Sequence, residues 1–221
     1  FLASHAGNNG ESPNHKDGGD FMVYADGKPV IIDVGSGTYT ARTFSKDRYK
    51  LWFNTSAHHN LPTITGEEQK DGLQFSATDV SYTKNKNSSQ LSMNIAKAYP
   101  ETAGVTSWKR TLKLDKAKGN IEVKDQYEMG KNSGSLTQTF MTVCNTDIGS
   151  PGKIIFDLPG GKKIFLDYDP KIWNISKEKM NLITPEDQGL KHSWDGRDIW
   201  RILLTAKSPV QKKSISYKIY R

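Results

Sequence analysis

The sequence has little from which a disulfide-linked or membrane-spanning structure could be built. Its 221 residues include one cysteine, Cys144, so no disulfide can form within the chain. Cys144 follows Met141-Thr142-Val143 and is predicted to be a small buried hydrophobic residue. Apolar runs such as Val30-Ile31-Ile32 and Ile202-Leu203-Leu204 are far shorter than the roughly 18 residues of a membrane-spanning helix. No membrane span is therefore predicted.

Helical patterning is also scarce. The sequence contains no amphipathic pattern of about ten residues or more and no repeat with a period of roughly 20–50 residues. Short β-branched and aromatic runs, separated by Gly, Asn, Asp and Pro, follow one another from Phe21 onward and are typical of strands. Asp26-Gly27 is the signal of a two-residue hairpin turn. The apolar and polar residues alternate between Ser107 and Glu128, which indicates strands with one solvated face.

These patterns predict an all-β fold, a large two-layer antiparallel β-sandwich with little helix. We expect one domain over residues 1–221. A further strand is predicted over residues 49–54, where Leu51 and Phe53 alternate with Trp52. The strands from about residue 150 to residue 221 are candidates for a small appended sheet.

The charge balance points to an anionic partner. Lys and Arg number 31 against 24 Asp and Glu, a net charge of +7 with a pI near 9.3, and such a surface attracts polyanions. The basic residues are dispersed in pairs such as Lys109-Arg110 and Lys212-Lys213, with no nucleic-acid-binding motif. Nucleic acid is therefore disfavoured, and acidic polysaccharide or an ordinary solvated surface remain as interpretations.

Three residues in the first quarter of the chain are ligand types that zinc takes without thiolate: His15, Asp33 and His59. Asp33 ends a buried-looking apolar run, where a carboxylate is costly unless a cation pairs with it. Spacing alone favours a different interpretation, in which His15 is solvated, Asp33 binds turn amides and His59 is structural. His58 precedes His59 on a predicted strand, so only one of the two imidazoles can face a common site.

The context of these residues resembles the β-sandwich half of the heparinase II/III-like polysaccharide lyases. Three runs carry the resemblance, in the family's order: residues 15–21 (H-K-D-G-G-D-F), 33–39 (D-V-G-S-G-T-Y) and 56–64 (S-A-H-H-N-L-P-T-I). The resemblance implies a zinc site at His15, Asp33 and His59, with the His-Asn pair selecting His59 over His58. In the family, such a zinc organises the substrate groove.

The resemblance further implies β-elimination on a uronic-acid-containing polysaccharide, which requires a base, an acid and neutralisation of the uronate. Most of that machinery belongs in the family to an N-terminal α/α-toroid, absent from this chain and expected as its partner. The chain opens on Phe1 rather than Met, which suggests a piece of a longer protein. A periplasmic or secreted location is implied by resemblance alone.

Two tyrosines are candidate acid or base groups, Tyr39 and Tyr49, because β-domain tyrosines act so in some relatives. The alternative is that both are core or groove-wall residues, since tyrosine is enriched in strands. Some family members carry a catalytic histidine two residues before the first ligand, where this chain has Pro13. Proline can neither ligate a metal nor transfer a proton, so that position supplies no catalytic group here.

Candidate substrate-binding residues are Arg42, Arg48 and Trp52. The arginines could bind a carboxylate or sulfate in bidentate fashion, or they could belong to a solvated basic loop. Trp52 could stack on a sugar or pack in the core. Two functions thus remain open: the β-sandwich portion of a polysaccharide lyase, and a non-catalytic carbohydrate-binding or structural module.

Overall fold

The computed structural model describes residues 1–10, 15–130, 134–209 and 211–221. Strands form most of the regular structure there, and the one α-helix in those ranges, α1, spans Asp187–Ser193. The strands are β1 (Leu2–Ser4), β2 (Asn8–Asn9), β3 (Phe21–Ala25), β4 (Lys28–Ile31), β5 (Pro62–Ile64), β6 (Gly72–Ser76), β7 (Thr78–Lys84), β8 (Ser88–Asn94), β9 (Val105–Asp115), β10 (Ile121–Met129), β11 (Leu136–Thr142), β12 (Asn145–Asp147), β13 (Lys153–Asp157), β14 (Lys163–Asp167), β15 (Trp173–Lys179), β16 (Trp200–Ala206) and β17 (Lys212–Tyr220).

The strands form two large antiparallel sheets and two small ones. The largest has eight strands in the order β12-β13-β14-β17-β10-β9-β8-β7, and the next has four in the order β15-β16-β11-β5. A three-stranded sheet, β1-β3-β4, and the pair β2-β6 complete the set. The predicted all-β sandwich with little helix is confirmed.

Buried and exposed side chains alternate along the central strands of the eight-stranded sheet. Along β9, Trp108 and Leu112 are buried while Lys109 and Lys113 are exposed, because successive side chains of a strand point to opposite faces. The buried face packs against the other sheets: the Phe140 ring of β11 meets the ring of Tyr217 on β17 edge-on, with centroids 5.2 Å apart. The core therefore lies between the sheets.

The strands after residue 150 do not form an appended sheet. β13, β14 and β17 belong to the eight-stranded sheet, and β15 and β16 belong to the four-stranded sheet. The physical reason is pairing along the full length of β10, where Ile121–Glu128 are in register with β17. This pairing makes the end of the chain a central strand of the sandwich.

The predicted strand over residues 49–54 is wrong. Residues 41–58 instead form four short 3₁₀ helices, which span Ala41–Phe44, Lys46–Lys50, Trp52–Asn54 and Ser56–His58. The Asn54 side chain donates to the Arg48 carbonyl at 2.9 Å, and the Thr55 hydroxyl donates to the Trp52 carbonyl at 2.9 Å. Such local side-chain to backbone bonds compete with strand pairing.

Two further 3₁₀ helices span Ala96–Ala98 and Glu101–Ala103. The first coincides with the alanine-rich run before Pro100. Across the described ranges, no helix has the length and apolar character needed to cross a membrane.

Candidate metal centre

Four side chains converge where three segments of the chain meet. One ligand atom from each of His15, Asp17, Asp33 and His59 lies within 4.8 Å of the other three. His15 Nδ1 is 3.2 Å from His59 Nε2, and His59 Nε2 is 3.8 Å from an Asp33 oxygen. The structure thus brings together the three residues singled out from the sequence and adds Asp17, which stands two positions after His15.

Local backbone geometry explains how Asp33 is presented. It lies two residues after the end of β4, and its carboxylate accepts a hydrogen bond from the Gly35 amide at 2.8 Å. Gly35 has a φ of 78°, a left-handed conformation that glycine adopts without steric cost. The turn therefore orients the Asp33 carboxylate toward the other members of the cluster.

His59 is held in one tautomer. Its Nδ1 donates to the Thr55 carbonyl at 2.9 Å, so its Nε2 presents a lone pair toward His15 and Asp33, as metal-binding histidines do. His58 faces elsewhere, because its Nε2 accepts from the Arg201 guanidinium at 3.0 Å and its Nδ1 pairs with the Thr55 hydroxyl at 2.9 Å.

The donor set fits zinc. Tetrahedral zinc with bonds of about 2.0–2.1 Å places its ligand atoms about 3.3 Å apart, close to the 3.2 Å between the two imidazole nitrogens. One oxygen of Asp17 is buried and has no hydrogen-bond partner among the described residues, as expected of a group that awaits a ligand. Two imidazoles with carboxylates suit zinc, whereas calcium and magnesium prefer all-oxygen sites.

Burial and mutual charge set the protonation of the imidazoles. Burial, followed by the charge of His59, lowers the pKa of His15 to about 4. Burial alone would also lower the pKa of His59, but the carboxylates of Asp33, Asp20 and Asp17 outweigh it and raise that pKa. His15 is therefore neutral at neutral pH, and the raised pKa of His59 means that a metal ion would compete with a proton for its Nε2.

The pKa values of the carboxylates Asp33 and Asp20 are shifted in opposite directions. Burial would raise the pKa of Asp33, but the charge of His59, the Gly35 amide and His15 lower it overall. Burial raises the pKa of fully buried Asp20 to about 7. Burial also raises the pKa of Asp17. Asp33 is therefore the carboxylate of the cluster whose negative charge is favoured, and that charge suits a cation.

Asn60 ties the converging segments together. Its side-chain NH₂ donates to the Phe21 carbonyl at 2.7 Å and to the Ile32 carbonyl at 2.9 Å. Its side-chain oxygen accepts from the Met141 amide at 2.7 Å, and its own amide donates to Asp20 at 2.7 Å. One buried amide thus fixes the start of β3, the residue after β4 and the last residue but one of β11, Met141, relative to His59.

Beneath Asn60 lies a fully buried ion pair that the sequence analysis missed. Arg110 Nε and Nη2 donate to the two oxygens of Asp125 at 2.8 and 2.7 Å. Arg110 Nη1 donates to the carbonyls of Gly19 at 3.1 Å and Asn60 at 2.8 Å, and Nη2 also donates to Gln138 at 2.9 Å. The signal was available, because strand alternation puts Arg110 on the buried face.

The candidate tyrosines are placed differently. Tyr49 lies beside the cluster with the ammonium of Lys16, the neighbour of His15 and Asp17, 4.4 Å from its ring centroid. Burial raises the pKa of Tyr49, which keeps its phenol protonated. Tyr39 is 56% exposed and contacts the ring of Phe44 edge-on at 5.6 Å. Their catalytic roles stay predictions.

Of the candidate substrate-binding residues, Arg48 lies beside Tyr49 and the cluster. The Arg48 guanidinium is 5.3 Å from the Tyr49 ring, and its charge contributes to the lowered pKa of His15. Arg42 is partly buried in the first 3₁₀ helix. The Trp52 indole donates to Asp187 at 2.9 Å. Their roles in substrate binding stay predictions.

Pro13, which stands where some relatives have a catalytic histidine, lies outside the described residues.

Comparisons of the sequence and of the fold with known proteins agree on one family. The sequence profile described as heparinase II/III-like, C-terminal, matches residues 1–198. A solved structure of the heparinase III-BT4657 gene product with methylated lysines has a TM-score of 0.73 and 14% identity, over 99% of this chain and 32% of its own. A second structure of that product has a TM-score of 0.70 and 15% identity over the same shares.

At these identities the structural likeness shows the fold, and this chain spans about a third of the length of those proteins. No curated protein matches it. Because the family profile covers most of the sequence, the chain belongs to the heparinase II/III-like C-terminal family, a family of polysaccharide-lyase domains.

Proposed function

We propose that this chain is the β-sandwich portion of a lyase that cleaves a uronic-acid-containing polysaccharide by β-elimination, and that it carries a zinc site which organises the substrate groove. The observation that carries the proposal is the convergence of His15, Asp17, Asp33 and His59 in a domain of this family. A periplasmic or secreted location accords with a polymeric substrate of that kind.

Elimination needs a base for the C5 proton, an acid for the departing glycosidic oxygen and a positive group that neutralises the uronate. Zinc, when bound, would supply a fixed positive charge at the groove wall. Lys16 and Arg48 flank the same wall around Tyr49 and can hold a carboxylate by charge-assisted hydrogen bonds. With its raised pKa, the Tyr49 phenol suits proton donation better than proton removal.

The remaining groups would come from an N-terminal helical domain of the same longer protein. Elimination requires all its groups around one sugar, and this chain offers a cationic wall, one neighbouring phenol and no second acid–base pair among the residues described. We therefore expect the isolated chain not to cleave an acidic glycan, and we expect the residues around the candidate metal centre to contribute only weak binding by themselves.

Metal analysis tests the zinc site. Chain purified without chelator should contain close to one zinc per molecule, and Asp33→Ala should contain almost none. Asp47→Ala, at an exposed aspartate, is the matched control and should keep its zinc. Equal zinc in the parent and in Asp33→Ala refutes the site.

A lyase assay tests the activity. The longer protein should generate unsaturated uronate from heparan-, chondroitin- or alginate-type chains, detected by its ultraviolet absorbance, and the 221-residue chain should generate none. Turnover by the isolated chain that Tyr49→Phe abolishes would place a complete active site on the sandwich and contradict the division proposed here.

A further inference from the structure

The outer face of the eight-stranded sheet presents lysines that the metal centre does not use. Arg110 and Asp125 point inward, and Arg110 contacts the Asn60 carbonyl beneath the cluster. Successive residues of a strand point to opposite faces, so Lys109 and Lys124 project from the other side of the sheet. The thickness of the sheet separates them from the metal ligands.

Three of these lysines follow one diagonal. Lys109 of β9 is in register with Gln126 of β10, and Lys218 of β17 is in register with Glu122 of β10. Lys124 lies midway between those two β10 positions, so each step along the diagonal crosses one strand and moves two residues. With strands about 4.8 Å apart and a rise of about 3.4 Å per residue, consecutive Cα atoms are about 8 Å apart.

The surface around the diagonal is positive and rich in hydrogen-bonding groups. We define the lysine face as Lys109, Lys113, Lys124 and Lys218 with Glu122 and the uncharged neighbours Thr111, Gln126, Ser214 and Ser216. Four lysines and one glutamate leave a net charge of +3, and the adjacent Asp167, in register with Lys218, is paired with the Lys153 ammonium at 2.7 Å. Within the described part of the chain none of these four lysines forms a salt bridge, so their charge is available to an anionic partner.

The diagonal ends at two aromatic rings. One further step of the same kind reaches Phe165 of β14, which is in register with Tyr220 of β17. The centroids of these half-buried rings are 5.5 Å apart, and the Lys218 ammonium is 5.5 Å from the Tyr220 ring. Aromatic rings provide an apolar surface with a polar edge, onto which a sugar ring can pack.

We propose that the lysine face binds an acidic polysaccharide. Evenly spaced cations match anionic groups that recur along such a chain, and the hydroxyl and amide side chains between them can bond sugar hydroxyls. Among the described residues, the face consists of strands of one sheet, with no helix projecting from it that could enter a nucleic-acid groove. The site would hold the polymer on the opposite side of the sheet from the metal centre, and it does not depend on zinc.

Binding of fluorescently labelled chondroitin sulfate and alginate oligosaccharides to the 221-residue chain tests the proposal. The test variant is Lys109→Gln/Lys124→Gln/Lys218→Gln. The matched control is Lys28→Gln/Lys97→Gln/Lys191→Gln, which removes the same charge from lysines that are exposed elsewhere. Thermal unfolding and zinc content of each variant report folding and the metal centre separately.

The test variant should bind at least about tenfold more weakly than the parent. The slope of its log affinity against log salt concentration should become less steep by up to about one per lysine removed. The control should lose less than about threefold, since distant exposed charges are screened. Asp33→Ala should bind like the parent, which separates this site from the proposed zinc function.

Three results overturn the proposal: no saccharide binding by the parent chain, equal losses in both triple variants, or binding of a DNA duplex or anionic vesicles with none of the oligosaccharides.

Discussion

Two polar clusters lie next to each other in this domain, one fully buried and one partly buried, and they differ in how fully their atoms are paired. Arg110 and Asp125 are fully buried, and each guanidinium nitrogen of Arg110 has an acceptor. In the candidate metal centre, the His15 and His59 nitrogens face each other at 3.2 Å, and a buried oxygen of Asp17 has no hydrogen-bond partner among the described residues.

This difference in hydrogen bonding indicates that the first cluster stabilises the fold and that the second is suited to bind a ligand. A buried network with every partner present rigidifies a core, whereas an incomplete one is costly unless a ligand completes it. The Arg110 network is complete without any ligand and supports Asn60, which in turn fixes His59. The metal centre sits on this support with donors that zinc would complete.

The largest effect should follow from breaking the complete network. Arg110→Met leaves Asp125 as an unpaired buried carboxylate, which should lower the free energy of unfolding by about 3–5 kcal/mol. Denaturant unfolding with chelator present measures this effect without a contribution from zinc.

The double variant Arg110→Met/Asp125→Leu is the control for that prediction. It removes both charges, so it should recover part of the loss. A double variant less stable than Arg110→Met would show that the carboxylate is not what makes the single variant unstable.

Completing the incomplete cluster should have the next largest effect. Zinc in about 1000-fold excess over its dissociation constant should raise the free energy of unfolding by about 4 kcal/mol, because it binds the folded chain. Asp33→Ala should show no zinc response, whereas Asp47→Ala should respond like the parent. A zinc response retained in Asp33→Ala would place the ion elsewhere.

Asn60→Asp tests the link between the clusters. The variant keeps the shape but loses the two donors to Phe21 and Ile32, so it should lose about 2–3 kcal/mol. It should also bind zinc more weakly, because the segments that carry the ligands are no longer fixed. Loss of stability with unchanged zinc affinity would mean that the positions of the zinc ligands do not depend on Asn60.

Part of this organisation was readable from the sequence. Alternation over β9 and β10 predicted two strands of the large sheet, and the Asp26-Gly27 signal predicted the hairpin between β3 and β4. The motif context selected His15, Asp33 and His59, which the fold brings together. The strand and hairpin predictions rest on local periodicity and turn chemistry, which a sequence carries explicitly, whereas the selection of the three residues rests on the family resemblance, and their metal-binding role stays a prediction.

The features that could not be predicted depend on particular hydrogen bonds and on pairing between strands that are distant in sequence. The alternation of Leu51, Trp52 and Phe53 resembles a strand, but hydrogen bonds from Asn54 and Thr55 to nearby carbonyls hold 3₁₀ helices instead. Membership of the last strands in the main sheets depends on partners far away in sequence. The spacing from His15 to Asp17 offered a fourth donor, but no local signal said that its oxygen would lack a partner.

The smallest effect near neutral pH concerns His58. Burial, followed by the charge of Arg201, lowers the pKa of His58 to about 3 from its ordinary 6.5. Its contribution to stability is therefore fully present above about pH 6.5 and is lost as the pH falls toward 3. With chelator present, His58→Gln should flatten the dependence of unfolding free energy on pH in that window. His192→Gln, at an exposed histidine, should not, and an equal change in both variants would contradict the assignment.

X-ray absorption at the zinc edge of the metal-loaded chain tests the central claim most directly. Our account predicts a shell of nitrogen and oxygen ligands at about 2.0–2.1 Å with scattering from two imidazoles, and no sulfur. The His59→Gln variant should lose one imidazole or the metal altogether. A sulfur shell at about 2.3 Å, or a shell without imidazole, would contradict a zinc centre built from His15, Asp17, Asp33 and His59.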